Sequence, residues 1–229
     1  MSSILAIIPA RCGSKGLKDK NIKELNGKPM MAYTIEAAIQ SGVFEDIIVS
    51  TDSPKYKVIA ESYGASVPFL RPVELASDKS TTRDAILYVL DNLPKKYEYL
   101  MILQPTSPLR TKQNIIDSIK LLEEKNANAI VSVCEVDHPV AWNAKLDDTL
   151  CLDNAFSNLA QRQQQEVTYR LNGAIYLVKV DYYRRHKNIY KEKSFGYIMD
   201  RFSSVDVDNI YDFYYAETLL RAKNVENLF

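Results

Sequence analysis

Four short apolar runs, Ile4 to Ile8, Ile47 to Ser50, Tyr99 to Leu103 and Ala129 to Val133, recur along the chain with segments of helical period between them. A continuous apolar run that stops at a turn signal reads as a strand covered on both faces, the habit of a parallel sheet. Met31, Ile35, Ala38 and Ile39 stripe a helix over about Met30 to Gln40, entered from the turn Asn26-Gly27-Lys28-Pro29. Pro54 to Tyr63 reads as a second helix closed by Gly64, and Ser66 to Leu70 as a further short strand. Ser80 or Thr81 caps a helix carrying Ala85, Ile86 and Val89, while Ile115, Ile116, Ile119 and Leu122 stripe another. Periodic structure resumes at Gly173 to Val180, and a last helix begins near Asn209. This alternation predicts an α/β fold with a mostly parallel sheet, helices on both faces and ligands outside the C-terminal strand ends.

The loop after the first strand, Ala10-Arg11-Cys12-Gly13-Ser14-Lys15-Gly16-Leu17-Lys18-Asp19-Lys20-Asn21, lies at such an end. Its two glycines permit a tight turn with N–H groups pointing inward, and Arg11, Lys15, Lys18 and Lys20 surround the space with positive charge. That combination suits a polyphosphate; a solvated basic turn is the alternative. The spacing fits neither a Walker loop nor a dinucleotide fingerprint. A second loop, Gln104-Pro105-Thr106-Ser107-Pro108-Leu109-Arg110, follows the Tyr99 to Leu103 strand, so two polar loops are expected to share one cleft. It offers Gln104, Thr106, Ser107 and Arg110 for contacts to a hydroxyl-rich or carboxylated ligand, a rigid helix-entry loop being the alternative.

Asp206 and Asp208 are separated by one valine, and residues two apart on an extended segment face the same way. Paired carboxylates suit magnesium, which takes a few protein oxygens plus water and substrate phosphates. The alternative is a solvated strand end with Asp208 or Asn209 capping the last helix. The adjacent pair Asp147-Asp148 has no such partner loop and reads as surface. His138 and His186 stand without a nucleophile motif, and Cys12 reads as a small filler, so covalent catalysis has no strong candidate. Asn172-Gly173-Ala174-Ile175-Tyr176 offers an amide, a close-approach glycine and a phenol, with Arg162 and Arg170 just before it to meet a carboxylate.

At 229 residues and 46% hydrophobic, the chain suffices for one domain over 1–229 with an embellishment. Residues 137–170 are polar and aperiodic, with the one tryptophan, Trp142, and read as an inserted arm, a disordered excursion being the alternative. Lys plus Arg and Asp plus Glu balance at 29 each, which removes a global field for nucleic acid or an anionic membrane. Three cysteines without C-x-x-C spacing point to a reducing cytoplasm rather than a disulfide framework or zinc site. No membrane span or cleavable signal is expected from residues 1–9.

With these motifs assembled, the chain resembles the CMP-N-acylneuraminate synthetases, cytidylyltransferases that activate sialic acids, over essentially its whole length. The resemblance rests on Ile8-Pro9-Ala10-Arg11 with Gly13-Ser14-Lys15-Gly16 and Lys20-Asn21, on Arg71-Pro72 with Glu74-Leu75-Ala76, on Leu103 to Arg110, on Asn172 to Tyr176, and on Asp206-Val207-Asp208. It implies a Rossmann-like nucleotidyltransferase sheet, with Arg11, Ser14, Lys15 and Lys20 on the CTP phosphates and Asn21, Arg71, Ser80 and Thr82 around the cytidine. Gln104, Ser107, Arg162 and Tyr176 face the sugar, with Arg170 beside them, and Asp206 and Asp208 hold Mg2+. It further implies a homodimer whose arms each help complete the neighbour's site. Where members commonly place two aromatic residues against the N-acyl group, this chain has Ile189 and Tyr190. N-acetylneuraminate is the expected acceptor; legionaminic, pseudaminic and 3-deoxy-octulosonic acids are alternatives, as is a catalytically silent CTP-binding homologue.

Overall fold

The computed structural model describes residues 3–13, 16–77, 80–153, 156 and 166–226. Along the chain run β1 (Ile4–Pro9), β2 (Glu24–Leu25), β3 (Lys28–Pro29), α1 (Met30–Ser41), β4 (Asp46–Ser50), α2 (Pro54–Ser62), α3 (Val73–Ala76) and α4 (Thr82–Asn92). They are followed by β5 (Tyr99–Ile102), α5 (Lys112–Glu124), β6 (Ala129–Glu135), β7 (Tyr169–Lys179), α6 (Val180–His186), β8 (Ser194–Ile198) and α7 (Ile210–Glu226). Six strands form the main sheet in the order β4-β1-β5-β7-β6-β8. β1 pairs in parallel with β4 and β5, and β6 with β8, whereas β7 runs antiparallel to both its neighbours.

The unbroken apolar run of β1 follows from covering on both sides. Ile4, Ala6 and Ile8 pack with Met31, Ile35, Tyr56, Ala60 and Ile115 from α1, α2 and α5. Leu5 and Ile7 face the opposite way, among Ile86, Val89, Tyr182 and Tyr183 of α4 and α6. Burying each such large apolar side chain contributes about 2 kcal/mol, so both layers are held by the same strand.

Local chemistry sets the helix starts. The Ser53 hydroxyl accepts from the Tyr56 N–H at 3.4 Å, with Pro54 at the first helical position of α2. Of the two caps considered for α4, Thr81 serves, in a reciprocal pair with Asp84; Thr111 and Asn114 repeat the device at α5. The turn at Asn26 and Gly27, both at positive φ, closes the β2–β3 hairpin.

The expected strand at Ser66 to Leu70 reduces to a single parallel bridge between Ile48 and Ser66. Pro68 lacks the N–H that a continuing ladder needs. Elements not foreseen include α3, α6, the edge strand β8 and the short β2–β3 pair. Among the described residues of the 137–170 segment there is one 3-10 turn, Val140–Trp142, and Val140, Leu146, Leu150 and Val167 are exposed. Among the described residues no helix is long and apolar enough to cross a membrane.

Candidate active site

Because β4, β1 and β5 are parallel neighbours, their following loops emerge at one edge of the sheet. There they enclose a cleft of about 480 Å³ whose lining includes Arg11, Gly16, Lys20, Asn21, Arg71, Ser80, Thr82, Gln104, Thr106 and Asp208. Of the residues that the sequence assigns to nucleotide and metal, Arg11, Lys20, Asn21, Arg71, Ser80, Thr82 and Asp208 thus meet on one lining, although they span nearly the whole chain, while Asp206 is not on it. Ser14, Lys15 and Arg162 lie outside the described residues.

The cleft wall is braced by its own backbone. Asn21 is buried and its Nδ2 donates to the Arg11 carbonyl at 3.0 Å, while Arg11 Nη1 donates to the Ala76 carbonyl at 3.1 Å. Arg71, also buried, donates through Nη2 to the Ser50 carbonyl at 2.7 Å and through Nε to the Ser50 hydroxyl at 3.2 Å. Burial pulls the Arg71 guanidinium below its usual value, and the Asp52 carboxylate partly offsets this. Asn21 Oδ1 and Ser80 Oγ are buried without a hydrogen-bond partner among the described residues. An unmet buried acceptor costs about 1–3 kcal/mol, so such groups on a cleft wall mark where a ligand bonds.

Two glycines make the close approaches possible. A Cβ at Gly16 would stand 2.5 Å from the Asp208 carbonyl oxygen, so the cradle and the C-terminal segment touch only because position 16 has no side chain. Gly173 sits at φ 77°, and a Cβ there would meet Gln104 Oε1 at 3.4 Å and Asp206 Oδ2 at 3.5 Å.

Val205 and Val207 bury into the cluster beneath α7, which leaves Asp206 and Asp208 on the opposite side of the extended segment. The Val207 N–H donates to the Thr106 carbonyl at 2.8 Å and ties this segment to the loop after β5. Asp208 Oδ1 accepts from Lys20 Nζ at 2.9 Å with its side chain 75% exposed, a pairing worth at most about 1 kcal/mol. Asp206 is half-buried and its Oδ1 has no hydrogen-bond partner among the described residues. Burial raises the Asp206 carboxyl above the ordinary range, and the neighbouring Asp208 charge adds to the shift. Capping of α7 falls to Asn209, whose Oδ1 accepts from the Tyr211 N–H at 2.8 Å, so Asp208 is left for the cleft.

A second cavity of about 340 Å³ shares Thr82 and Gln104 with the first. Tyr176, Tyr183, Ile102, Ile189 and Tyr190 give it apolar walls, with Arg83 and Lys187 also on its lining. Gln104 and Tyr176, expected to face a sugar, both line this second cavity. Ser107 is fully buried and lines neither cavity, and Arg170 is exposed on β7 away from both. Arg110, read from sequence as a ligand-contacting group, is instead an internal brace. It is buried and donates through Nη1 to the Ala174 carbonyl at 2.8 Å and the Gln104 carbonyl at 3.2 Å, joining the loop after β5 to β7.

Sequence reasoning passed over Asp52, Arg83, Tyr183 and Lys187. Asp52 carries a usable signal, since it follows β4 at the same strand-end edge as the cradle. Arg83 lies one residue beyond Thr82, whereas Tyr183 and Lys187 belong to α6 and its end, which leave no clear period in the sequence.

A family model described as cytidylyltransferase matches residues 5–226. The chain is 41% identical over 229 residues to an N-acylneuraminate cytidylyltransferase of Escherichia coli, covering 99% of this chain and 54% of that protein. It is 36% identical to a CMP-N,N'-diacetyllegionaminic acid synthase of Legionella pneumophila, covering 95% of this chain and 96% of that one. The chain spans about half the length of the Escherichia coli protein and of a Streptococcus agalactiae N-acylneuraminate cytidylyltransferase, 54% and 51% respectively. Among solved structures, a CMP:2-keto-3-deoxy-manno-octonic acid synthetase complexed with CTP shares the fold at a TM-score of 0.75 and 14% identity, over 97% of this chain and 100% of that chain.

Proposed function

The chain belongs to the cytidylyltransferase family, and from that membership we propose that it transfers CMP from CTP to the anomeric hydroxyl of a sialic acid, N-acetylneuraminate. The hydroxyl oxygen bonds to the α-phosphorus, the bond from that phosphorus to the β-phosphate oxygen breaks, and pyrophosphate leaves as the hydroxyl proton is released. The observation that carries this reading is the shared lining of the two cavities. Thr82 and Gln104 belong to both, so a triphosphate among Arg11 and Lys20 lies beside an acceptor against Tyr176 and Tyr190.

In this reading Arg11 and Lys20 stabilise the charge that collects on the departing pyrophosphate, with Ser14 and Lys15 completing the cradle. Arg71, Asn21 and Ser80 meet the nucleoside end; the unpartnered Asn21 Oδ1 and Ser80 Oγ support this, because both are buried acceptors on the cleft wall. Asp206 and Asp208 would hold Mg2+. The fit rests on Asp206 Oδ1, a buried oxygen without a partner beside a second carboxylate, which a hard cation satisfies without a third protein ligand. When bound, the ion supplies neutralisation of phosphate oxygens and a lowered pKa for the attacking hydroxyl. Lys20, which pairs with Asp208, also lines the cleft and would meet the phosphates there.

The exposed apolar residues of the 137–170 arm support a homodimer in which that arm, with Arg162 and Arg170, packs on a second copy. Three unpaired cysteines support a reducing cytoplasm. A second reading, the same transfer to legionaminic acid, draws on Ile189 in the acceptor wall and on the Legionella relative of matching length.

The test is pyrophosphate release with CTP and Mg2+ over a panel of N-acetylneuraminate, legionaminic, pseudaminic and 3-deoxy-octulosonic acids. N-acetylneuraminate is expected to give the highest kcat/KM. Turnover confined to another acid reassigns the acceptor, and CTP binding without turnover on any of them refutes the transfer.

A further inference from the structure

Asp52 does not line the nucleotide cleft, yet both its carboxylate oxygens are committed to one residue of the loop that does. Oδ1 accepts from the Cys12 N–H at 3.0 Å and Oδ2 from the Cys12 thiol at 2.9 Å. Two contacts from one planar group fix both the position and the orientation of the residue they grip. Cys12 directly follows Arg11, whose carbonyl holds Asn21. Ser50, the last residue of β4, and Thr51 after it also grip the other side of the cleft. The Ser50 carbonyl accepts from the Ala10 N–H at 2.9 Å, the Thr51 carbonyl from the Arg71 N–H at 2.7 Å, and Ser50 takes both Arg71 side-chain bonds. Residues 50–52 therefore set where Arg11 and Arg71 stand relative to each other.

We propose that Asp52 is a positioning residue for nucleotide transfer, one that locks the first turn of the phosphate cradle in register with Arg71 through its double contact to Cys12. The inference rests on the nucleotide reading of the cleft. Its charge state agrees with the geometry. Burial opposes ionisation of Asp52, but the Cys12 hydrogen bonds and the Arg71 charge hold its carboxyl below the ordinary range. Its hydrogen bond to Asp52 raises the Cys12 thiol, keeping it a donor. Cys12 thus serves as a tethered strut whose sulfur points at an acid, which is the reverse of the arrangement that activates a thiol.

The experiment compares Asp52→Ala, Asp52→Asn and Cys12→Ala with wild type in kcat, KM for CTP, KM for the acceptor, CTP affinity by calorimetry, and Tm without ligand. Asp52→Ala is expected to lose about 100-fold in kcat/KM for CTP, and about tenfold in CTP affinity, with acceptor KM and ligand-free Tm close to wild type. Asp52→Asn keeps an oxygen for the Cys12 N–H and is expected to recover most of the loss. Cys12→Ala removes only the thiol contact and is expected to stay within a few-fold of wild type. The proposal is overturned by Asp52→Ala that keeps kcat/KM and CTP affinity, by an equal loss for CTP and acceptor that tracks a falling Tm, or by Asp52→Asn as impaired as the alanine. Wild-type protein that binds CTP but transfers to no acidic sugar refutes the assigned reaction, and the Asp52 comparison is then read in CTP affinity.

Discussion

The first cleft takes its walls from the end of β1, the loops after β1 and β5 and the stretch 71–82, whereas the adjoining cavity takes its outer wall from Ile189 and Tyr190, in the connection after α6. In the first, the ligand-facing groups are tied by backbone bonds: Asn21 to Arg11, Arg71 to Ser50, Asp208 through Val207 to Thr106. In the second, Tyr190 is exposed and Ile189 half-buried, and that outer wall consists of side chains on a surface turn. On the proposed function, the fixed polar cleft suits the substrate part that never changes, the triphosphate, and a cavity walled partly by replaceable side chains would let the acceptor vary among related acids without disturbing the phosphate end.

The contrast has graded consequences. Asp208→Ala strikes the fixed half, and kcat is expected to fall about 10³-fold, with Tm unchanged because the Lys20 pairing is exposed. Unchanged turnover in that variant ends its assignment to the metal. Asp206→Asn in metal-free protein is expected to be at least as stable as wild type by thermal melting, since it removes a buried charge with an unmet oxygen. Gly16→Ala drives a methyl against the Asp208 carbonyl and is expected to cost about 10²-fold in kcat/KM for CTP. An alanine variant with wild-type kinetics shows that the cradle and the C-terminal segment need not touch.

Tyr190→Ala acts on the adjustable half: acceptor KM rises about tenfold, with KM for CTP unmoved, and a shift in both constants dissolves the division between the cavities. Trp142→Ala is smallest, within about 0.5 kcal/mol of monomer stability by chemical unfolding. Its effect is expected in self-association, where sedimentation at low concentration shows weaker dimers. Identical profiles count against the arm as the contact.

What the sequence made legible follows the same division. Apolar runs covered on both sides announce themselves, which is why β1, β4, β5 and β6 were readable, and motif-bearing loops at their ends came with them. Asp206 and Asp208 were found because alternation alone placed them on one face, and Val205 and Val207 complete the pattern. β8 was not readable, as an edge strand with Phe195 and Ile198 exposed has neither a continuous apolar run nor clean alternation. Arg110 was misread because a cation in a polar loop looks the same whether it reaches outward or braces carbonyls from within. The antiparallel insertion of β7 between β5 and β6 is a choice of partner, and partner choice over long separations leaves no local mark.

That insertion also sets an order of assembly. Until residues 169–179 have been synthesised, the edges of β5 and β6 that β7 will occupy have no strand to pair with, and the central sheet stays open between them. Asp208 must then travel back across 188 positions to reach Lys20. A growing chain on the ribosome therefore carries the cations of the cradle long before their acidic counterparts exist. On the proposed function, the centre is complete only once Asp206 and Asp208 stand beside Lys20, so a chain stalled before them carries the cradle without its carboxylates.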